Sequence, residues 1–260
     1  MSTIAQRALT ERWPTSGFGG IVSNGLVCAL DAGVSASYSG SGTTWSNLVA
    51  SPADGSAQTA WDCNVSDPLL VFTGTAGSRS PSTYFRTTGA TNFSFNSIPS
   101  QAQAWHKTGA EYTMAWWAFT PTGGVSTYMY SNVNSLSSDV GVSMYDSSGA
   151  LVYTVQNGVS NGTLSNISAQ LGNPRDRWRF IYARMRQSSS SYVLGINGVE
   201  GTLSSSLTWG NNTSTSATAY RVWSCNIAGG KIGALYIWNR QLSQDEMVAT
   251  FNATRNRWGV

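Results

Sequence analysis

Carboxylates are the side chains in this sequence that could do hydrolytic chemistry, and their spacing argues against it. Cleavage of a glycosidic bond requires two acidic residues held close together, one as acid and the other as nucleophile or base. The 12 acidic residues are scattered along 260 positions, and no E-x-D-x-x-E pattern places them together on a strand. The one adjacent pair, Asp245 and Glu246, falls at a predicted helix start. We therefore predict no catalytic residues and no enzyme activity.

Metal-binding and nucleophilic side chains are also sparse. His106 is the single histidine, which excludes a metal site built on two histidines, and its polar neighbours indicate a surface position. The three cysteines, Cys28, Cys63 and Cys225, contain no C-x-x-C pair and indicate neither a zinc site nor a disulfide framework. We predict free thiols, no metal and no cofactor.

Aromatic residues in polar loops are candidates for carbohydrate binding. Exposed indoles can stack on sugar rings while amides bond the hydroxyl groups. The candidates are Trp61, Trp105, Trp209, Asn211 and Asn212. The alternative is that these tryptophans pack in the core or in subunit contacts, because large aromatic side chains dominate both.

Arginines are candidates for binding a partner subunit or an anionic glycan. The chain has 13 arginines and only two lysines, and arginine is the cation enriched at protein interfaces. The segment DRWRFIYARMR would place two arginines on each face of one strand. These are Arg177 and Arg179 on one face, and Arg184 and Arg186 on the other. The alternative is an edge strand kept soluble by its charge.

The first 20 residues are predicted to form an extended arm. Its anchors would be Arg7, Arg12 and Trp13, and the flexible G-F-G-G segment ends it. We interpret it as a docking arm for a neighbouring protein, or else as a strap along its own domain. Residues 21–260 would then form the folded domain.

Composition limits the classes of partner. Charged residues make up 10% of the chain and the net charge is +3, against about 25% charged residues in an ordinary soluble domain. No Lys/Arg run resembles a nucleic-acid-binding tract. The longest apolar run, Met114 to Phe119, is too short to span a bilayer, and no signal-peptide core precedes it. We expect a protein made in a cytosol that binds neither nucleic acid nor membrane.

The pattern of short strands and turns predicts an all-β sandwich. Glu111–Phe119 is apolar on both faces and should be a central strand, and Asn197-Gly198 is typical of a two-residue hairpin turn. Near the end, Ser243 and Glu246 form a capping-box pattern before a helix of about three turns. We expect this helix to lie over an open edge or corner of the sandwich.

Two motifs carry a resemblance to a known family. The opening GLVCALDAGVSASYSGSGTTWSNL and the closing IAGGKIGALYIWNRQLSQDE resemble those of concanavalin A-like, laminin-G-type jelly-roll domains of bacteriophage virion proteins. The strands EYTMAWWAF and DRWRFIYARM, the INGVEG hairpin and the final FNATRNRWGV add to it. The resemblance implies two curved antiparallel sheets, with the first and last strands neighbours. Many members bind calcium through a D-G-x-x-D-Y stretch, but no carboxylate lies between Asp67 and Glu111 here, so we do not expect calcium.

The resemblance implies a structural role on a virion. The leading hypothesis is a capsid decoration subunit, bound to other virion proteins as a homo-oligomer or part of a larger assembly, with or without a lectin-like surface. A receptor-binding tail or fibre module that recognises host polysaccharide is the alternative. A polysaccharide-degrading enzyme is the third possibility.

Overall fold

The computed structural model describes most of the chain from Gly20 onward. The described ranges are 20–50, 58–96, 102–122, 126–131, 140–147, 150–157, 161–164, 175–201, 221–225 and 227–260. The predicted arm, apart from Gly20, lies outside them, and the domain boundary near residue 20 stays a prediction.

Sixteen strands and one α-helix are found in the described part of the chain. In chain order the strands are β1 (Leu26–Asp31), β2 (Thr44–Trp45), β3 (Cys63–Asn64), β4 (Leu70–Thr73), β5 (Tyr84–Thr87), β6 (Thr91–Phe95), β7 (Glu111–Phe119), β8 (Ser126–Ser131), β9 (Val140–Ser147), β10 (Ala150–Asn157), β11 (Asn161–Leu164), β12 (Trp178–Arg186), β13 (Ser191–Ile196), β14 (Val199–Glu200), β15 (Arg221–Cys225) and β16 (Lys231–Trp238). The helix α1 is Gln244–Thr254, and 3₁₀ turns lie at Thr59–Trp61, Ala102–Ala104, Gln187–Ser189 and Arg255–Trp258.

The strands form two sheets, and each strand pair within them is antiparallel. Sheet A has the order β14-β13-β12-β7-β16-β5-β4, with β1 also paired to β16. Sheet B has the order β11-β10-β9-β8-β15-β6-β3-β2. The predicted sandwich of two antiparallel sheets is therefore confirmed. The pairing of β1 with β16 also confirms that the first and last strands are neighbours.

The main hydrophobic core lies between the two sheets. Met114 and Trp116 of β7 face it together with Met144 and Tyr153 of sheet B. Tyr112 and Tyr153 join the sheets by a hydrogen bond between their hydroxyl groups. Burial raises the pKa of the Tyr112 phenol well above its usual range.

A second core lies on the outer face of sheet A, under the C-terminal helix. The Trp117 ring packs on Phe251 and Trp258 at centroid distances of 6.0 and 5.6 Å, and its Nε1 donates to Thr254 Oγ1 at 2.8 Å. The expectation that the helix covers an edge or corner is therefore wrong. Since β7 is apolar on both faces, its outer face also needs a cover, and α1 with the turn after it supplies one.

The two motifs that carry the family resemblance hold β1 in place. Asn47 of the opening motif accepts at Oδ1 from Ala29 N (2.8 Å) and donates from Nδ2 to Val27 O (3.0 Å). Arg240 of the closing motif donates from Nε to Asn24 O (2.9 Å), directly before β1. These residues therefore have a structural role, and they do not indicate where a ligand binds.

The predicted capping box at the start of α1 is confirmed. Ser243 Oγ accepts from Glu246 N at 3.2 Å, and Glu246 Oε2 accepts from Ser243 N at 2.8 Å. Glu246 also accepts from both terminal nitrogens of Arg240. The Arg240 bonds, with those from Ser243, lower the pKa of Glu246 to about 2.

Glu246 should make part of the stability dependent on pH. Its pKa is depressed in the folded chain, so its contribution is present above the ordinary value of 4.5 and is lost as the pH falls toward about 2. We expect Glu246→Gln to cost about 1 kcal/mol or less at neutral pH, because the ion pair is partly exposed. Urea unfolding at neutral and acidic pH measures both effects.

The matched control for this experiment is Asp245→Asn, which removes an exposed charge from the same helical turn. It should keep the wild-type fall in stability on acidification. An equal fall in Glu246→Gln and wild type would contradict the assignment.

Candidate functional site

The outer face of sheet B is the candidate site because it is mainly polar, whereas the outer face of sheet A is apolar beneath α1. On sheet A the inner face is apolar, and so is the part of the outer face that α1 covers. On sheet B, residues such as Cys63, Phe95 and Met144 face the core, and the residues between them belong to the opposite face. Those intervening positions are mainly polar.

One cross-strand row on this outer face crosses all eight strands, and we call it the polar row. The register pairs its members directly from β2 to β11. They are Thr44, Asn64, Ser94, Arg221, Ser131, Ser143, Thr154 and Thr163. With adjacent strands about 4.8 Å apart, the row is roughly 34 Å long. Among the members whose side chains the structure describes, hydroxyl, amide and guanidinium groups are hydrogen-bond donors and acceptors.

The polar row is exposed at its β2 end and buried at β9 and β10, toward its other end. Thr44 and Asn64 are exposed, and Ser94 and Arg221 are partly exposed. Ser143 and Thr154 are buried, and their hydroxyl groups have no hydrogen-bond partner among the described residues. The part of the row that can meet a ligand in this conformation therefore runs from Thr44 to Arg221.

Arg221 is the one charged member of the polar row. The ion pairs found among the described residues are made by other arginines. These pairs are Arg175–Asp146, Arg184–Glu200, Arg186–Glu111, Arg240–Glu246 and Arg257–Asp31. Arg221 takes part in none of these pairs, and its guanidinium adds a positive charge to the row.

The same five ion pairs also show how carboxylates that hydrolysis would need are used in this fold. Each holds a carboxylate against an arginine of this chain, and Asp176 in turn accepts from Thr122 N at 2.8 Å. Asp62 accepts from Asn47 N at 2.7 Å. These acids fix loops and strands, which is a structural role. No group of three His, Cys, Asp or Glu residues in the described ranges is placed to hold a metal ion, and no helix there is long and apolar enough to cross a membrane.

The structure buries two of the tryptophans predicted to bind sugar. Trp61 is 3% exposed and Trp105 is 4% exposed, with their ring centroids 6.1 Å apart in the main core. Trp105 also stacks on Tyr112 at 4.6 Å. The expectation that these indoles are exposed in loops is therefore wrong, and the packing alternative holds. Trp209, Asn211 and Asn212 lie outside the described residues.

The predicted partner-binding arginines have different surroundings. Arg184 is buried and donates to Leu242 O and to Glu200, and Arg186 donates to Glu111 Oε1 at 2.7 Å. Arg177 is exposed and Arg179 is half-buried; burial and then the nearby Arg177 lower the pKa of Arg179. Partner binding by these residues stays a prediction. The arm residues Arg7, Arg12 and Trp13 lie outside the described ranges.

The single histidine and the three cysteines are all buried. His106 lies in the segment directly before β7 and is fully buried, so the expectation of a surface histidine is wrong. Cys28, Cys63 and Cys225 are buried free thiols, as predicted. Burial, followed by the charge of Asp62, raises the pKa of the Cys28 thiol, which disfavours the reactive thiolate.

The polar row is not predicted from the sequence, because its members are far apart in the chain. Each short strand shows the signal, as in TNFSF of β6, where polar and apolar residues alternate. What the sequence lacks is the register that aligns eight such strands. The row can be identified only once the pairing of the strands is known.

Solved structures share this fold. The chain is similar to the botulinum neurotoxin serotype D binding domain (TM-score 0.58, 11% identity, 88% of this chain and 51% of that chain). It is similar to a botulinum neurotoxin type C structure (TM-score 0.57, 11% identity, 88% and 51%). It is also similar to Trypanosoma rangeli sialidase (TM-score 0.56, 9% identity, 95% and 37%).

These similarities define the chain as a β-sandwich domain. At such identities the likeness concerns the fold alone. The chain spans about half the length of the two botulinum chains and 37% of the sialidase. No protein-family description and no curated protein matches the sequence.

Proposed function

We propose that this chain is a non-enzymatic, glycan-binding surface protein of a bacteriophage virion, a capsid decoration subunit that presents the outer face of sheet B. The polar row is the observation that carries the glycan-binding part. Its open segment joins exposed Thr44 and Asn64 to partly exposed Ser94 and Arg221. Such groups can exchange hydrogen bonds with the hydroxyls of a glycan.

Two further points support this proposal. The carboxylates described above are engaged in ion pairs and loop contacts, which favours binding over hydrolysis. The botulinum neurotoxin type C structure has the same fold, and the cell entry of that toxin depends on interaction with two ganglioside molecules. The virion part of the proposal rests on the sequence motifs that resemble phage jelly-roll domains.

Mutation of the polar row should weaken glycan binding without unfolding the chain. The test is a glycan array probed with the full chain, followed by titration of the best ligand. We expect Asn64→Ala with Arg221→Ala to weaken binding at least about tenfold, because each substitution removes hydrogen bonds worth about 1 kcal/mol or more. The matched control is Arg86→Ala, an exposed arginine on sheet A, which should bind like wild type.

The outcomes separate the parts of the proposal. An array with no binding, or binding unaffected by the double substitution, would overturn glycan recognition by the polar row. Antibodies against the chain should label the heads of purified virions. Label restricted to tails would support the receptor-binding alternative instead, and particles without label would overturn the virion role.

A further inference from the structure

A second row lies on the outer face of sheet A, beyond the part covered by α1. We call it the cationic row. The register places five residues side by side from β12 to β4: Trp178, Phe119, Lys231, Arg86 and Val71. At about 4.8 Å per strand it is roughly 19 Å long. It lies on the opposite side of the sandwich from the polar row.

The cationic row is accessible. Arg86 is exposed, Val71 is 38% exposed, and Trp178, Phe119 and Lys231 are half-buried. Leu69, in the turn before β4, is 40% exposed. Two of the few exposed large apolar side chains in the described chain therefore lie at or beside one end of the row.

The charge of the row is unbalanced. Lys231 and Arg86 are directly paired across β16 and β5, an arrangement that is unfavourable for like charges. Partial burial and then Arg86 lower the pKa of Lys231. The ion pairs among the described residues include neither cation, and no member of the row is acidic. An acidic ligand would relieve this repulsion.

The aromatic rings of the cationic row contact Lys231 and other rings of the same chain. Lys231 Nζ lies 4.3 Å from the Phe119 ring centroid and 5.1 Å from that of Tyr84. The Trp178 ring packs on Trp258 at 4.1 Å. The rings are thus engaged within the chain, which disfavours sugar stacking. Exposed apolar side chains beside cations are instead typical of protein interfaces rich in aromatic residues and arginine.

We propose that the cationic row docks the sandwich onto an acidic surface of a different protein. A second copy of this chain fits poorly, because a symmetric contact pairs a surface with itself and would bring Lys231 and Arg86 against the same cations. The chain's own first 19 residues also fit poorly, since they hold Arg7, Arg12 and one acid, Glu11. This docking surface is independent of glycan binding by the polar row.

The experiment selects a random 12-residue peptide library against the full-length protein and measures the affinity of the best peptides. We expect the selected peptides to combine several acidic residues with a large apolar one. Arg86→Glu should weaken their binding about three- to tenfold, and replacing peptide acids by lysine should restore binding to that variant. Arg86 is exposed, so folding should tolerate the change. Arg255→Glu makes the same charge change at an exposed arginine outside both rows and should leave peptide binding unaltered.

Four results would overturn the proposal. One is selection of peptides without an acidic bias, and a second is peptide binding that Arg86→Glu leaves unchanged. Another is that no acidic peptide is selected and the protein instead binds polygalacturonate in a way that depends on Arg86. This would identify an anionic glycan as the ligand of the cationic row. The last is a concentration-dependent dimer that Arg86→Glu dissociates, which would identify a second copy as the occupant.

Discussion

Replacing Arg257 by alanine should lower the free energy of unfolding by about 3–5 kcal/mol, the cost typical of breaking a buried ion pair from one side. Arg257 donates from Nη1 to Oδ1 of Asp31, whose side chain is fully buried. It also donates from Nη2 to Thr83 O at 2.9 Å, and its guanidinium lies over the Trp258 ring at 4.2 Å. One side chain thus joins the end of β1, the start of β5 and the C-terminal turn. Urea unfolding at neutral pH measures the loss.

The control for this prediction is Arg255→Ala, two residues earlier in the same 3₁₀ turn. Arg255 is exposed and lies over the Phe251 ring at 5.6 Å, so we expect a loss of about 1 kcal/mol or less. A double-mutant cycle with Asp31→Asn separates the ion pair from the other Arg257 contacts. Equal losses in the two arginine variants would show that Asp31 and Arg257 contribute no more than surface groups.

Gly233→Ala should destabilise the chain by about 3 kcal/mol, a large effect for one methyl group. Gly233 lies in β16 where the register with β7 shifts, and a Cβ atom there would overlap the Trp258 ring. Trp258 is only 4% exposed and packs on Trp117 and Trp178. The added methyl group would displace it from the second core. Near-UV circular dichroism and thermal unfolding report this change.

A rescue experiment identifies the cause of the Gly233→Ala effect. Trp258→Leu is itself destabilising, but it removes the ring that the new methyl group meets, so the two substitutions together should cost less than their sum. Gly89→Ala is the control, because a Cβ there contacts only the Leu69 side chain, at 3.3 Å. Strict additivity of the Gly233 and Trp258 losses would contradict the packing explanation.

Local patterns in the sequence predict much of the fold. Glu111–Phe119 is a strand with the predicted bounds, because its apolar residues leave no polar face and few competing signals. The Asn197-Gly198 turn is also confirmed, with positive φ angles of 54° and 81°, which Asn and Gly adopt more readily than other residues. The capping box at Ser243 is local too, since all its bonds fall within one turn.

Features that depend on distant contacts are missed. The short strands β2 and β3 have two residues each, too few for a periodic pattern to be recognised. The burial of Trp61, Trp105 and His106 follows from what packs on them, and polar neighbours in sequence give the opposite impression. The polar row and the cationic row need the pairing register of whole sheets, which no short segment contains.

The pairing of β1 with β16 has a consequence for the way the chain folds during synthesis. Residues Leu26–Asp31 emerge well before their partners, Ala234–Trp238, which are made about 200 residues later. At about 5–20 residues per second, β1 waits on the order of 10–40 s without its partner strand. The near-continuous apolar run LVCALD is unpaired at that stage, and such segments are prone to aggregation until the sheet closes. Expression at lower temperature or with chaperones should therefore improve yield, because β1 stays without its partner until β16 has left the ribosome.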